Sequence, residues 1–408
     1  MVHRKLAADN IFTGYEMLGH DVVLIVDNAG EVIDLINEID AGENIERYKG
    51  ILSPGFINCH CHLELSHMKG IIPEHSGMVG FLLAVMSSRN NAEEKIQEAI
   101  IAAENEMKRN GIVAVGDICN TDHTVSQKKI SPVYYHNFIE VTGFIDALAE
   151  TRFNAALELY KKFTFYEESA NRRHKRATTN AASIVPHAPY SVSDSLFSLI
   201  NNFDPESLLT MHNQESAAEN EFFLNAGGDL LKLYATIKVD INHFKGTGQT
   251  SLISALSHIS TDRKMMLVHN VLTNENDLEW VKPRMNNLYW CLCPNANKYI
   301  NNSLPDIKLL RKHTSKIVLG TDSLASNHEL NILSEIKTLK DNFSSLELSE
   351  LLKWATINGA EALGIENKYG SFEKGKTPGI NLLSQVFSPE TKQQMPFKTT
   401  PLLTQAMF

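Results

Sequence analysis

The stretch PGFINCHCHLELSH, Pro54–His67, packs three histidines and two cysteines into fourteen residues directly after a run of strand character. Side chains alternate along a strand, so His60 and His62 face one side while Cys59 and Cys61 face the other. Taken alone, a His-x-His at a strand end reads more readily as two half-exposed polar residues than as a pair of metal ligands. What the other strands bring beside it decides between the two.

Working outward, ILSPGFINCH is the first of eight β-type runs, and GIVAVGDI, PVYYHNFIEV, ASIVPH, LLTMH, KMMLVHN, NNLYWCLCP and KIVLGTDS follow in order. Helical patterns separate them. The clearest are AEEKIQEAIIAAENEMKRNG, with helically spaced apolar residues and Gly111 placed to end it, and TNENDLEWV, with Thr273 as its N-cap. Eight strand-helix units predict an α/β fold, a (β/α)8 TIM barrel over residues 53–371. A doubly wound open sheet would bring a Gly-rich phosphate turn after its first strand, and none is present. Ahead of the barrel, HDVVLIVDNAGEVIDLI reads as a hairpin turning at Asn28-Ala29-Gly30, and YGSFEKGKTPGINLLS near the other end holds further short strands. The two termini, residues 1–52 plus 372–408, are predicted to form one small β-sandwich. Residues 229–262 read as an insertion before the sixth strand.

The chain has 408 residues, 43% of them apolar and 21% charged, which is the balance of a globular protein with a sizeable core. Its net charge of −10, with no basic stripe, excludes a role in wrapping nucleic acid, because phosphate neutralisation needs a surplus of Lys and Arg on one face. No window approaches the ~20 apolar residues of a bilayer span, and the first residues lack the apolar core of a signal peptide. A soluble protein without membrane contact is expected. Five cysteines, at 59, 61, 119, 291 and 293, are an odd number in two C-x-C pairs, which disfavours a disulfide framework and points to the reducing cytoplasm. A zinc ribbon would need C-x-x-C pairs, and the chain has none.

The fifth run ends TMHNQES, placing His212 at a strand tip with Glu215 three residues on; the sixth ends LVHN at His269, and the eighth LGTDS at Asp322. Barrel enzymes keep their catalytic groups at the carboxyl ends of the strands. Imidazole and carboxylate together suit zinc, and iron or manganese accept the same donors. These tips, with His60 and His62, are therefore predicted to form a metal site, zinc foremost. His62-Leu63-Glu64 is also the H-x-E half of the cytidine-deaminase signature, but CLCP stands where its P-C-x-x-C half would be.

In order, PGFINCHCHLE, HAPYSVS, MHNQES, LVHN, CPNANKYI and LGTDSLASN resemble the motif series of the amidohydrolase superfamily, in its branch of cytosine, guanine and adenosine-type deaminases and triazine hydrolases. The resemblance spans nearly the whole chain, terminal β pieces included. It implies that His60, His62, His212 and Asp322 hold a single divalent metal, that Glu215 shuttles protons, and that His269 orients the attacking water and shares its proton with Asp322. It implies a substrate contact for His187. The fourth run has no lysine to be carbamylated between two metals, so one metal per chain is expected. The implied reaction is hydrolytic deamination of an aminated heterocycle. Guanine deamination and chloro- or aminohydrolysis of a triazine-type ring are the alternatives inside the superfamily, and a non-catalytic barrel scaffold is the alternative outside it.

HLELSH, GFLLAVMSSR and FIEVTGF further resemble the aminodeoxyfutalosine deaminases, which act on an adenine attached to a modified ribose in menaquinone synthesis. That narrower resemblance implies a substrate role for Glu64 and a pairing of Arg89 with a substrate carboxylate through its planar fork. It also places Asn297, in CPNAN, near the pocket rim, although Ala296 replaces the serine common in relatives. The expected partner is a small-molecule substrate and the expected assembly a homodimer.

Overall fold

The computed structural model describes residues 3–173, 180–387 and 394–403. The chain begins with strands β1 (Arg4–Phe12), β2 (Met17–Leu18), β3 (Val22–Val26), β4 (Val32–Asn37) and β5 (Ile45–Pro54). β3 and β4 form the expected antiparallel hairpin. Asp27 Oδ1 fixes its turn by accepting from the N–H groups of Ala29 (2.8 Å) and Glu31 (2.9 Å).

Eight parallel strands follow: β6 (Phe56–Cys61), β7 (Ile112–Cys119), β8 (Tyr134–Val141), β9 (Ala181–Pro186), β10 (Leu209–Asn213), β11 (Met265–His269), β12 (Leu288–Leu292) and β13 (Ile317–Leu319). They pair in sequence as β6-β7-β8-β9 and β10-β11-β12-β13. Backbone bonds beyond the strand ends link the halves. His212 N–H donates to His187 O (2.9 Å) at one seam, and the N–H groups of Thr321 and Asp322 both donate to His60 O (3.0 Å each) at the other. The fold is the expected (β/α)8 TIM barrel. β6 and β7 are buried along their whole lengths, as parallel strands covered on both faces must be.

Helices cover the barrel through apolar stripes. Glu93–Arg109 buries Ile96, Ile100, Ala103 and Met107, one face of a 3.6-residue period, and ends before Gly111 at φ 74°. Each such aliphatic side chain contributes roughly 1.5–3 kcal/mol on full burial. The N-cap of helix Glu275–Val281 is Asn274, not Thr273: Asn274 Oδ1 accepts from the N–H groups of Asn276 (2.9 Å) and Asp277 (3.3 Å). Thr273 lies one residue too early and donates its hydroxyl to Gln214 Oε1 (2.7 Å) instead.

At the far end, β14 (Ile380–Phe387) and β15 (Gln394–Leu403) return to the amino-terminal strands. The result is a seven-stranded path, β15-β14-β5-β1-β3-β4 with β2 on β1, which buries Leu6, Leu24, Leu52 and Ile380 together. The run ILSPGFINCH, expected as one strand, is two, split between this sheet and the barrel. A Cβ on Gly55 at the crossing would lie 2.4 Å from Val113 Cγ1 and 2.7 Å from Pro378 O, so no side chain fits there.

The insertion forms two short helices, Leu230–Thr236 and Ser251–Leu256. Leu230, Leu233 and Tyr234 of the first pack with Met78, Phe222 and Phe223. Among the described residues no helix is long and apolar enough to cross a membrane, and all five cysteines are buried and free.

Candidate metal centre and active site

β6 stops at Cys61, and the chain turns at His62 (φ −121°, ψ 76°) into the 3-10 helix Leu63–Met68. His60 and His62 nevertheless converge: their Nε2 atoms lie 3.2 Å apart, and His212 Nε2 is 3.3 Å from that of His62. Asp322 Oδ1 lies 3.3 Å from His62 Nε2 and 3.5 Å from His60 Nε2. One donor atom from each of the four residues falls within 4.8 Å of the others. A tetrahedral ion with bonds of about 2.0–2.1 Å spaces its donor atoms about 3.3 Å apart.

The donor chemistry agrees with that spacing. Burial keeps the imidazoles neutral, lowering His60 and taking His62 down to about 3. His212 Nδ1 donates to His187 O (2.9 Å), which leaves the lone pair on its Nε2. Burial opposes ionisation of Asp322, but its contacts with His60 and His62 outweigh it and hold the carboxyl well below its usual range. Three lone-pair nitrogens and a carboxylate oxygen facing one another fit a divalent cation.

The backbone bends to bring them there. Asp322 (φ 57°) and His269 (φ 76°) both occupy the left-handed region, at roughly 1–3 kcal/mol each. Asn58 holds the eighth tip by accepting from Thr321 N–H (3.0 Å) and donating to Thr321 Oγ1 (2.8 Å). Asp117 Oδ1, from β7, accepts from Leu63 N–H (2.8 Å) just past His62, while its Oδ2 pairs with buried Lys128 (2.5 Å). Sequence reasoning passed over Asn58, Asp117 and Lys128. The acid at the end of the apolar run GIVAVGDI was the available signal.

Glu215 follows β10 on a loop that Glu219 secures. Glu219 Oε1 accepts from the N–H groups of Glu215 (2.6 Å) and Ser216 (3.3 Å), and Oε2 accepts from that of Gln214 (2.9 Å). This is a capping box on helix Ala217–Asn225, readable as Ser216-x-x-Glu219 and also missed. Burial, with the charges of Asp322 and Glu219, pushes the Glu215 carboxyl well above its usual range. Its Oε2 lies 3.8 Å from His269 Nε2.

A cavity of about 340 Å³ opens over these groups, with His62, His212, Glu215, His269 and Asp322 in its lining. Phe81, Leu82 and Val85 from helix Gly77–Ser88, and Leu233 and Ile237 from the insertion, give it apolar walls. His187 lines it as expected; burial lowers its imidazole to about 4.

The other substrate candidates sit differently. Glu64 and Arg89 line the cavity but are engaged with protein. Arg89 pairs with Glu64 Oε1 (3.3 Å), and Glu64 Oε2 accepts from Asn120 N–H (3.1 Å), Thr121 N–H (2.9 Å) and Thr121 Oγ1 (2.7 Å). Asn297 is not at the rim: it is fully buried behind the site, with its amide nitrogen 2.9 Å from His269 Nδ1. The helix Pro294–Asn301 turns that side chain toward the core. Glu140, at the end of β8, does line the cavity and was not singled out. Burial opposes its ionisation, but the neighbouring imidazoles of His187 and His212 prevail and hold it down to about 2.

A sequence profile of the amidohydrolase family matches residues 51–402. The chain belongs to the amidohydrolase family. Among its relatives, an adenosine deaminase of Helicobacter pylori is 29% identical over 81% of this chain and 78% of its own length. An aminodeoxyfutalosine deaminase of Nitratiruptor is 26% identical over 88% of both chains. The crystal structure of Helicobacter pylori aminofutalosine deaminase in complex with methylthio-coformycin superposes on this amidohydrolase with a TM-score of 0.79, at 23% identity over 97% of each chain. The zinc-bound atrazine chlorohydrolase of Arthrobacter aurescens superposes with a TM-score of 0.72, at 16% identity over 97% of this chain and 90% of its own.

Proposed function

We propose that this amidohydrolase is a hydrolytic deaminase of an adenine-type nucleoside, with aminodeoxyfutalosine as its substrate and zinc as its metal. The observation that carries the reading is the placement of buried Glu215 beside His269 and the four-donor cluster, in a cavity of about 340 Å³. The names of the two relatives above support the substrate class, and the zinc of the chlorohydrolase supports the metal.

His60, His62, His212 and Asp322 would hold the divalent ion, which would supply the Lewis acidity that lowers the pKa of water from about 15.7 toward about 7. The protein groups do the rest. Glu215 presents its proton to the ring nitrogen next to the amino-bearing carbon, which makes that carbon electron-poor; of the two protons that the attacking water loses, one passes through Glu215 to the departing amine and the other restores Glu215. His269 faces Glu215 from across the reacting centre and fixes the direction from which water approaches. A carbon–oxygen bond forms, the carbon–nitrogen bond to the amino group breaks, and ammonia leaves. Positioned proton transfers of this kind typically contribute ~10²- to 10⁴-fold. His187 contacts the substrate, and the apolar walls exclude bulk water.

The test is ammonia release by metal-loaded protein from aminodeoxyfutalosine, adenosine, guanine and cytosine. Turnover of the adenine nucleosides above the other two is expected. Release from guanine alone, or from none of the four with metal bound, would overturn the reading.

A further inference from the structure

Of the ionisable groups lining the cavity that the reaction above does not use, Glu140 is the one with a buried oxygen left without a hydrogen-bond partner. Glu140 has a side chain only 4% exposed, and it is anchored at one end only: Oε2 accepts from Asn120 Nδ2 (3.0 Å). Oε1 is buried and has no hydrogen-bond partner. The nearest cationic candidate, His212 Nδ1, is 3.4 Å away and already committed to His187 O. A desolvated carboxylate oxygen without a donor is costly and calls for one from outside the chain.

His187 is the second acceptor at this place. Ser191 Oγ donates its one proton to Ala188 O (3.1 Å), so it accepts from His187 Nδ1–H (2.7 Å). That tautomer leaves a lone pair on Nε2. Glu140, His187 and His212 lie close enough for a second metal, but His212 donates through Nδ1 and turns Nε2 to the four-donor cluster, which leaves only two donors for a cation there.

Two acceptors facing the cavity select a donor-bearing substrate. An adenine ring offers acceptors at its endocyclic nitrogens, and its one donor is the amino group that departs. The remaining donors on a nucleoside are the sugar hydroxyls. We infer that Glu140 is a specificity-determining residue that accepts hydrogen bonds from the vicinal hydroxyls of a ribosyl group, so that the site selects a ribonucleoside over a free base or a deoxygenated analogue. The inference rests on the deaminase reading for the nucleoside class of its ligand and for its turnover readout.

The experiment compares adenosine with 2′,3′-dideoxyadenosine on zinc-loaded wild type and on E140Q, by ammonia release and by calorimetric binding. Loss of a hydrogen bond to a charged group weakens binding roughly tenfold to a hundredfold. Wild type should favour adenosine by about that factor in kcat/KM and in affinity, and the preference should shrink toward unity in E140Q. Because the wild-type preference is measured without any substitution, a poorly folded variant does not remove the test. No preference for the hydroxyls in wild type, or no binding of either nucleoside, overturns the inference. So does an E140Q loss equal for both nucleosides, which would mark a partner of the leaving amine, or a second equivalent of zinc that E140Q removes. If wild type releases no ammonia yet binds adenosine more tightly through Glu140, the deaminase reading falls and the hydroxyl subsite stands.

Discussion

The barrel mouth and the terminal sheet treat polar groups in opposite ways. Lys128 and Asp117, beside the mouth, form an ion pair whose side chains are 3% and 0% exposed. Arg4 and Glu46, on β1 and β5 of the sheet, form one whose side chains are 29% and 39% exposed. Positive-φ residues show the same contrast. Gln214, His269, Asn270 and Asp322 cluster at the strand tips around the metal ligands, whereas β1, β3 and β4 run without any. Strain and buried charge gather where groups must be aimed, and the sheet contributes regular burial that tolerates substitution.

Four substitutions can break or sharpen that contrast. His212→Ala removes a donor from the cluster and should cost more than the ~10–100-fold in metal affinity typical of outer partners, with turnover falling to background; full metal content by elemental analysis would take His212 out of the ligand set. Glu215→Gln should keep the metal and lower kcat by ~10²- to 10⁴-fold, since the acid is lost and the ligands are not. Turnover equal to wild type would contradict its role. Lys128→Met leaves Asp117 buried without its cation, for which about 3–5 kcal/mol of stability should be lost in denaturant titration. Turnover should fall too, because Asp117 also anchors the Leu63 N–H beside His62. Arg4→Ala should change stability by at most about 1 kcal/mol and leave turnover untouched. A loss as large as that of Lys128→Met would show the two regions to be alike.

Much of this molecule was legible from the chain alone. Parallel barrel strands are covered on both faces, so they read as apolar runs, and the ligands sit at or just beyond the carboxyl ends of such runs. Pairing between elements was not legible. Glu64 looked available on an extended strand, but the chain turns at His62 and delivers its carboxylate to Thr121 and Arg89. Asn297 looked like a rim residue, yet helix direction sends it behind His269. Glu140 was hidden inside PVYYHNFIEV, where one acid at a strand end carries no local mark of what it faces. The crossing at Gly55 escaped because both sides of it are good strand sequence.

The carbonyl of His60, which accepts from Thr321 and Asp322, ties the first barrel strand to the last at the very point where ligands are needed. During synthesis the amino-terminal histidines leave the ribosome long before their carboxylate partner exists. A full set of four donors can arise only once the closing strand docks, so uptake of the ion should mark the last step of maturation, and a fragment ending before residue 317 should be left with imidazoles alone.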